Sequence, residues 1–188
     1  MTDYFALLEQ PRSPWLDPEQ LKQAFHAKTL REHPDAQPGS DGNDEAFAQL
    51  NEAYQILREP KRRLHHLLTL AGASPAGETA TIPHEIEELF PAVAELTKQA
   101  SVVVQKLASA STSLTRSLLQ PELWRTRDAI AQKLLRLETL HAAAEDELRS
   151  LGDSSQDNRA ALQQLYVRFS YLTRWMTELQ EKQFDLTA

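Results

Sequence analysis

Apolar residues recur at steps of three and four along most of this chain, and alternation of β-branched residues is almost absent. That periodicity predicts a chain that is helical throughout. A short first helix is expected from Asp3 to about Gln10, with Tyr4, Leu7 and Leu8 on its apolar side. Pro11, Pro14 and Pro18 hold the next connection open. Asp17 is placed as an N-cap, with Pro18 at the first helical position, where a missing N–H costs nothing. The second helix then runs to about Glu32, and Pro34 biases His33 towards extended backbone and helps end it. The polar, glycine-bearing stretch 36–42 reads as a loop. A third helix is expected over Asn43 to Arg58, with Phe47, Leu50, Tyr54 and Leu57 as its core side. Pro60 separates it from a fourth, Lys61 to Ala71, closed by Gly72.

Residues 73–83 are small and polar and read as a linker, dividing a domain over 1–72 from one over 84–188. Three long stripes follow. Ile86, Leu89, Val93, Leu96, Ala100, Val103, Leu107, Ala110, Leu114 and Leu118 form the first. The second begins at Pro121 and contains Trp124, Ile130, Leu134, Leu137, Leu140, Ala144, Leu148 and Leu151. Leu162, Leu165, Phe169, Leu172, Met176 and Leu179 form the third, after a turn over Gly152–Asn158. One apolar stripe per helix and short connections predict an antiparallel three-helix bundle. Pro91 either kinks the first of these helices or starts it anew.

Composition narrows the chemistry. The net charge of −7 is spread evenly, with 8 basic and 11 acidic residues in 1–72 and 12 and 16 in the remainder. No basic half exists to grip a phosphate backbone, so nucleic acid is not the expected partner. There is no cysteine, which excludes disulfides, thiolate metal sites and a cysteine nucleophile together. The N-terminus lacks the basic segment and apolar run of a signal peptide. No apolar stretch approaches the ~20 residues of a membrane span. The expectation is a cytoplasmic protein with no membrane partner. A glycine-rich phosphate loop, a convincing nucleophile–base pair and a metal cluster are all missing, so the chain is not read as an enzyme.

His33-Pro34-Asp35 lies between two helical patterns, the second reading Leu50-Asn51-Glu52-Ala53-Tyr54-Gln55-Ile56-Leu57. With Pro60 and Arg63 beyond it, this arrangement resembles the J domain, which stimulates ATP hydrolysis by heat-shock chaperones of the DnaK class. Asp3-Tyr4-Phe5, Leu16-Asp17 and Arg58-x-Pro60-x-x-Arg63, leading into Leu67-Leu68-Thr69-Leu70-Ala71-Gly72, make it similar to the HscB family in particular. Members of that family join a J domain to a three-helix bundle and serve iron–sulfur cluster assembly. The fold implied is all-α, a J domain followed by an antiparallel bundle.

The resemblance implies a DnaK- or HscA-class chaperone as partner. Asp35 would be the critical anion, engaging an arginine of the chaperone in a charge-assisted hydrogen bond. His33 and Pro34 would shape its loop, and docking would shift the chaperone towards its hydrolysis-competent state. Lys22 and His26, four apart on one helix face, stand where the family's basic residues stand, and Phe47 falls near the contact. Ala27 and Ala36 replace residues usually basic, so the face is thin in positive charge. Lys28 and Glu32 stand where apolar residues usually pack, spaced to pair with one another. For the client, the iron–sulfur scaffold, the family uses an apolar and acidic patch on the bundle, for which Glu87, Glu88, Leu89 and Val93 are the candidates. No metal and no cofactor are implied. His65, His66 and His84 read as surface histidines, and Trp124, Phe169, Tyr171 and Trp175 as bundle core. Glu145-Asp146-Glu147 reads as a solvated acidic stretch.

Overall fold

The structure, a computed structural model, describes residues 2–31, 43–75, 81–151 and 158–187. His33-Pro34-Asp35, Glu32, the loop 36–42, part of the linker and all but Asn158 of the expected turn at 152–158 lie outside the described residues. The regular structure is all helical: α1 (Tyr4–Leu7), α2 (Pro18–Arg31), α3 (Asn43–Arg58), α4 (Pro60–Leu70), α5 (His84–Glu87), α6 (Leu89–Ser109), α7 (Ser113–Ser150) and α8 (Arg159–Asp185). Among the described residues no helix is long and apolar enough to cross a membrane. The chain divides into two compact units, one of residues 1–80 with 145–167, the other of 81–144 with 168–188. Thus α7 and α8 each contribute to both.

In the first unit, side chains close the helix ends. The Asp3 carboxylate accepts the amides of Phe5 and Ala6 at 3.0 and 3.3 Å. Its other oxygen accepts two hydrogen bonds from Arg12, at 2.8 and 2.6 Å. Burial pushes the Asp3 carboxyl up, but the Arg12 guanidinium and the two amides together hold it below the ordinary value. Asp17 caps α2 as the sequence predicts, accepting the amides of Glu19 and Gln20 at 2.9 Å each. The end of α4 is a Schellman turn: Gly72 at φ +67° sends its N–H to Thr69, and Ala73 sends its N–H to Leu68.

Burial corrects two sequence expectations in this unit. In α1 it is Phe5 and Leu8 that are fully buried, while Tyr4 and Leu7 are half-exposed. In α3 the buried set is Leu50, Ala53 and Leu57, and Phe47 is 39% exposed. Leu21 anchors α2, and Phe25 stacks on Tyr54 at 4.5 Å. Leu148 of α7 and Leu162 and Leu165 of α8 are buried in the same unit. There the Arg149 guanidinium lies 4.7 Å over the Trp15 ring.

Two polar residues are buried in α4. Arg63 donates from Nε to the carbonyl of Pro14 at 2.8 Å and from Nη1 to that of Leu57 at 2.6 Å. The second bond satisfies a carbonyl in the last turn of α3, where helical partners run out and positive charge is favoured. Burial pushes the guanidinium down to about 10, against the pull of Glu145, so it stays charged at neutral pH. His66 is not the expected surface histidine: it is 4% exposed and its Nε2 accepts the Tyr4 amide at 3.1 Å. Its ring packs on Tyr4 and Phe5 at 4.7 and 5.7 Å.

The second unit is the bundle. Val93, Leu96, Ala100 and Val103 of α6 form one core with Leu123, Ile130, Leu134, Leu137 and Leu140 of α7 and Leu172, Trp175 and Leu179 of α8. Pro91 sits in the first turn of α6, where its missing N–H has no helical partner to lose. The first expected stripe ends early. The chain turns at Ala110–Thr112, Thr112 Oγ1 accepts the Thr115 amide at 3.1 Å, and α7 starts there. Pro121 is therefore inside α7, on an exposed face where the freed Ser117 carbonyl can turn to water. Leu114 and Leu118 belong to α7 and are 69% and 73% exposed. Trp124 is also outside the core, 64% exposed, with Arg127 over its ring at 5.5 Å. Leu123 and Thr126 take the inward positions, in step with Ile130 and Leu134.

Candidate functional site

The inward positions of α2 determine what it displays. Leu21 is buried, and Ala24, Phe25 and Lys28 are half-buried, so Lys22 and His26 are left exposed one turn apart. Arg31 and Leu30 extend that display. Lys28 does not add to it, because its ammonium is bound at 2.7 Å to Glu9. The hydrogen bond and charge of Lys28 hold the Glu9 carboxyl below its ordinary value. The expected partner Glu32 lies outside the described residues. Phe47 emerges from α3, which packs along α2. Lys22, His26 and Phe47 are thus exposed on two adjacent helices joined by the segment that contains His33-Pro34-Asp35.

The second candidate surface is on the bundle unit. Glu87 and Glu88 are exposed at the junction of α5 and α6, and His84 reaches them at 3.7 and 3.2 Å. Glu85 is held by Arg168 at 2.7 Å. Leu89 is half-buried against the core. Val93 is a correction: at 2% exposure it is a core residue, since it falls on the inward stripe with Leu96 and Ala100, and it has no surface to present. Sequence reasoning passed over Phe90, which is 37% exposed and meets Tyr171 and Trp175 edge-on at 5.0 and 4.9 Å. Its signal was its place beside Leu89 in an acidic run. Among the described residues no group of His, Asp and Glu is arranged to hold a metal ion.

Residues 3–66 match the DnaJ domain model. They are a J domain. Over this J domain the chain is 39% identical along 61 residues to the chaperone protein DnaJ of Gluconobacter oxydans, covering 32% of this chain and 16% of that protein. It is 42% identical along 64 residues to the DnaJ of Synechococcus elongatus, covering 34% and 22%. The match therefore spans about one-sixth to one-fifth of these relatives. For the chain as a whole the likeness is one of fold. The structure of the chaperone HscB from Vibrio cholerae superposes with a TM-score of 0.55 at 22% identity, covering 98% of this chain and 99% of that one. The human co-chaperone protein HscB gives 0.52 at 16%, covering 97% and 85%. An HscB-like fold thus carries the J domain at its N-terminus.

Proposed function

We propose that this protein is a J-type co-chaperone that binds a DnaK- or HscA-class chaperone and stimulates its ATPase. The observation that carries this reading is the J-domain match over residues 3–66, which includes His33-Pro34-Asp35. Asp35 supplies the carboxylate for a charge-assisted contact with the chaperone. Lys22 and His26 are exposed on α2, and the Phe47 ring on α3, and these would add to the contact. The role needs no chemistry in this chain, because binding one state of the chaperone more tightly than the other is enough to shift it. Single-turnover ATP hydrolysis by the chaperone tests the reading. Asp35→Asn should remove the stimulation; full stimulation by that variant would end the proposal.

The bundle is proposed to carry the client, an iron–sulfur scaffold protein, on the patch of Glu87, Glu88, Leu89 and Phe90. The HscB-like fold supports this, as does the pairing of two exposed acids with an accessible aromatic ring. Calorimetric titration of the full chain with the scaffold should give micromolar binding that Phe90→Ser together with Glu88→Lys abolishes. Absence of binding by the unaltered chain would move the bundle to another client and leave the J-domain reading standing.

A further inference from the structure

The first unit contains a recess of about 420 Å³ over the outer face of α4. On α4, Pro60, Arg63, Leu64, Leu67 and Leu68 are turned inward. Lys61, Arg62, His65 and Thr69, at positions between these, line the recess together with the buried His66. The apolar walls are Ile56 and the ring of Tyr166. No acidic side chain lines it, in a chain that carries 27 acidic residues against 20 basic ones. Lys61 has no ion-pair partner among the described residues, and Arg62 reaches only Glu59, at 3.6 Å on the exposed rim.

His66 adds an independent observation. Its Nε2 is fixed as an acceptor by the Tyr4 amide, so the neutral ring carries its proton on Nδ1. That N–H has no hydrogen-bond partner among the described residues, and it is not one of the side-chain nitrogens sealed from solvent, so it stays accessible where His66 lines the recess. It is a donor of fixed position on an otherwise buried ring, open to an acceptor in the recess.

We propose that this recess binds a small monocarboxylate with an apolar body. The carboxylate is taken by Lys61, Arg62 and the Nδ1–H of His66, and the body lies against Ile56 and Tyr166. Several features favour a carboxylate over a phosphate. The lining donors are side chains, and Pro60 at the first position of α4 removes one of the helix-start amides that phosphate sites draw on. The guanidinium fork matches a carboxylate in shape. The volume lies in the range of small-ligand sites, which run from about 300 to 1,000 Å³. The proposal does not depend on the co-chaperone reading.

The test is a titration of the full chain with octanoate, 3-phenylpropionate, 3-phenylpropanamide and inorganic phosphate. Binding is read from the imidazole nitrogen shifts of His66. Saturable millimolar or tighter binding of a carboxylate that moves the His66 Nδ1 signal is expected, with octanoate and phenylpropionate separating an aliphatic from an aromatic body. Lys61→Gln with Arg62→Gln should weaken it at least about tenfold, equivalent to about 1.4 kcal/mol. Both side chains are on the outer face of α4, and the amide control needs no variant. Equal binding of 3-phenylpropanamide, preference for phosphate, or an unmoved His66 signal at saturating carboxylate would overturn the proposal.

Discussion

Arg63 makes a demanding prediction, because two opposed effects meet on one side chain. Replacing it with Met keeps most of the apolar stem and removes the guanidinium. Two hydrogen bonds from a charged donor, to the carbonyls of Pro14 and Leu57, are lost. At about 1.5–3 kcal/mol each, that is about 3–6 kcal/mol. Against this, the cost of burying the charge disappears. The fall from the ordinary guanidinium value to about 10 corresponds to roughly 3 kcal/mol. The two effects cancel at the low end and the hydrogen bonds win at the high end, so Arg63→Met should destabilise the first unit by about 0–3 kcal/mol. Arg63→Lys is the sharper variant. It keeps the charge and its burial cost but lacks the fork that reaches two carbonyls from different elements. It should be no more stable than Met. The assay is a urea series followed through the NMR indole resonance of Trp15, the tryptophan of this unit. A Lys variant within about 0.5 kcal/mol of the unaltered chain would show that charge near Glu145, and not carbonyl bonding, is what Arg63 contributes.

Other expectations follow from the same geometry. Burial lowers the His66 imidazole, the positive charge of Arg12 and the neighbouring His65 act in the same sense, and Asp3 opposes them; Lys61 and Arg62 line the same recess. The unfolded chain takes up this proton at about 6.5 and the folded one only at lower pH, so stability is complete above 6.5 and falls below it. His66→Gln should flatten the dependence of the urea midpoint on pH between 7.5 and 5.5, and an unchanged slope would refute the assignment. Glu9→Gln frees Lys28 and should raise apparent affinity for the chaperone at low salt only; a weaker interaction would place Glu9 itself in the contact. In the bundle, Leu137→Ala should cost about 2–5 kcal/mol, and Trp124→Gln within about 0.5 kcal/mol of nothing, despite the larger residue being lost. Thermal unfolding of the two variants decides it, and a costly Trp124→Gln would contradict its solvent-facing position.

Element type was legible in this sequence because the signals were local and agreed with one another. Asp17-Pro18 and Gly72 each carry a mechanism that needs no tertiary partner, and both helix ends fall where that chemistry puts them. The errors arose where a local rule competed with a weaker-looking one. By sequence the second long helix starts at Pro121, yet a proline on a wet face breaks only one bond, while the Thr112 hydroxyl caps a helix that already begins at Ser113. By sequence Trp124 is placed in the stripe with Ile130, although Leu123 and Thr126 keep the three-four spacing with Ile130. Val93 shows the reverse error: the periodicity that assigned it to a stripe was sound, and the same periodicity should have removed it from a list of surface contacts. His66 could not be read from sequence, because its partner is the backbone of Tyr4, 62 residues away.

Charge is where sequence and structure differ most in what they imply for binding. Residues 1–72 contain eight basic side chains, but most are committed within the fold. Arg63 is buried on two carbonyls, Arg12 is held by Asp3, Lys28 by Glu9, and Arg62 approaches Glu59. Arg58 lies 5.9 Å over the Tyr54 ring, and Lys61 lines the recess on α4. Lys22 and Arg31 remain on the outer surface of α2, with His26 between them. Few screened surface charges mean little long-range steering and a shallow response to salt. On the proposed co-chaperone reading, binding through this face would then rest on short-range contacts, in which the fit of the Phe47 ring and the Asp35 carboxylate counts for more than the number of positive charges displayed.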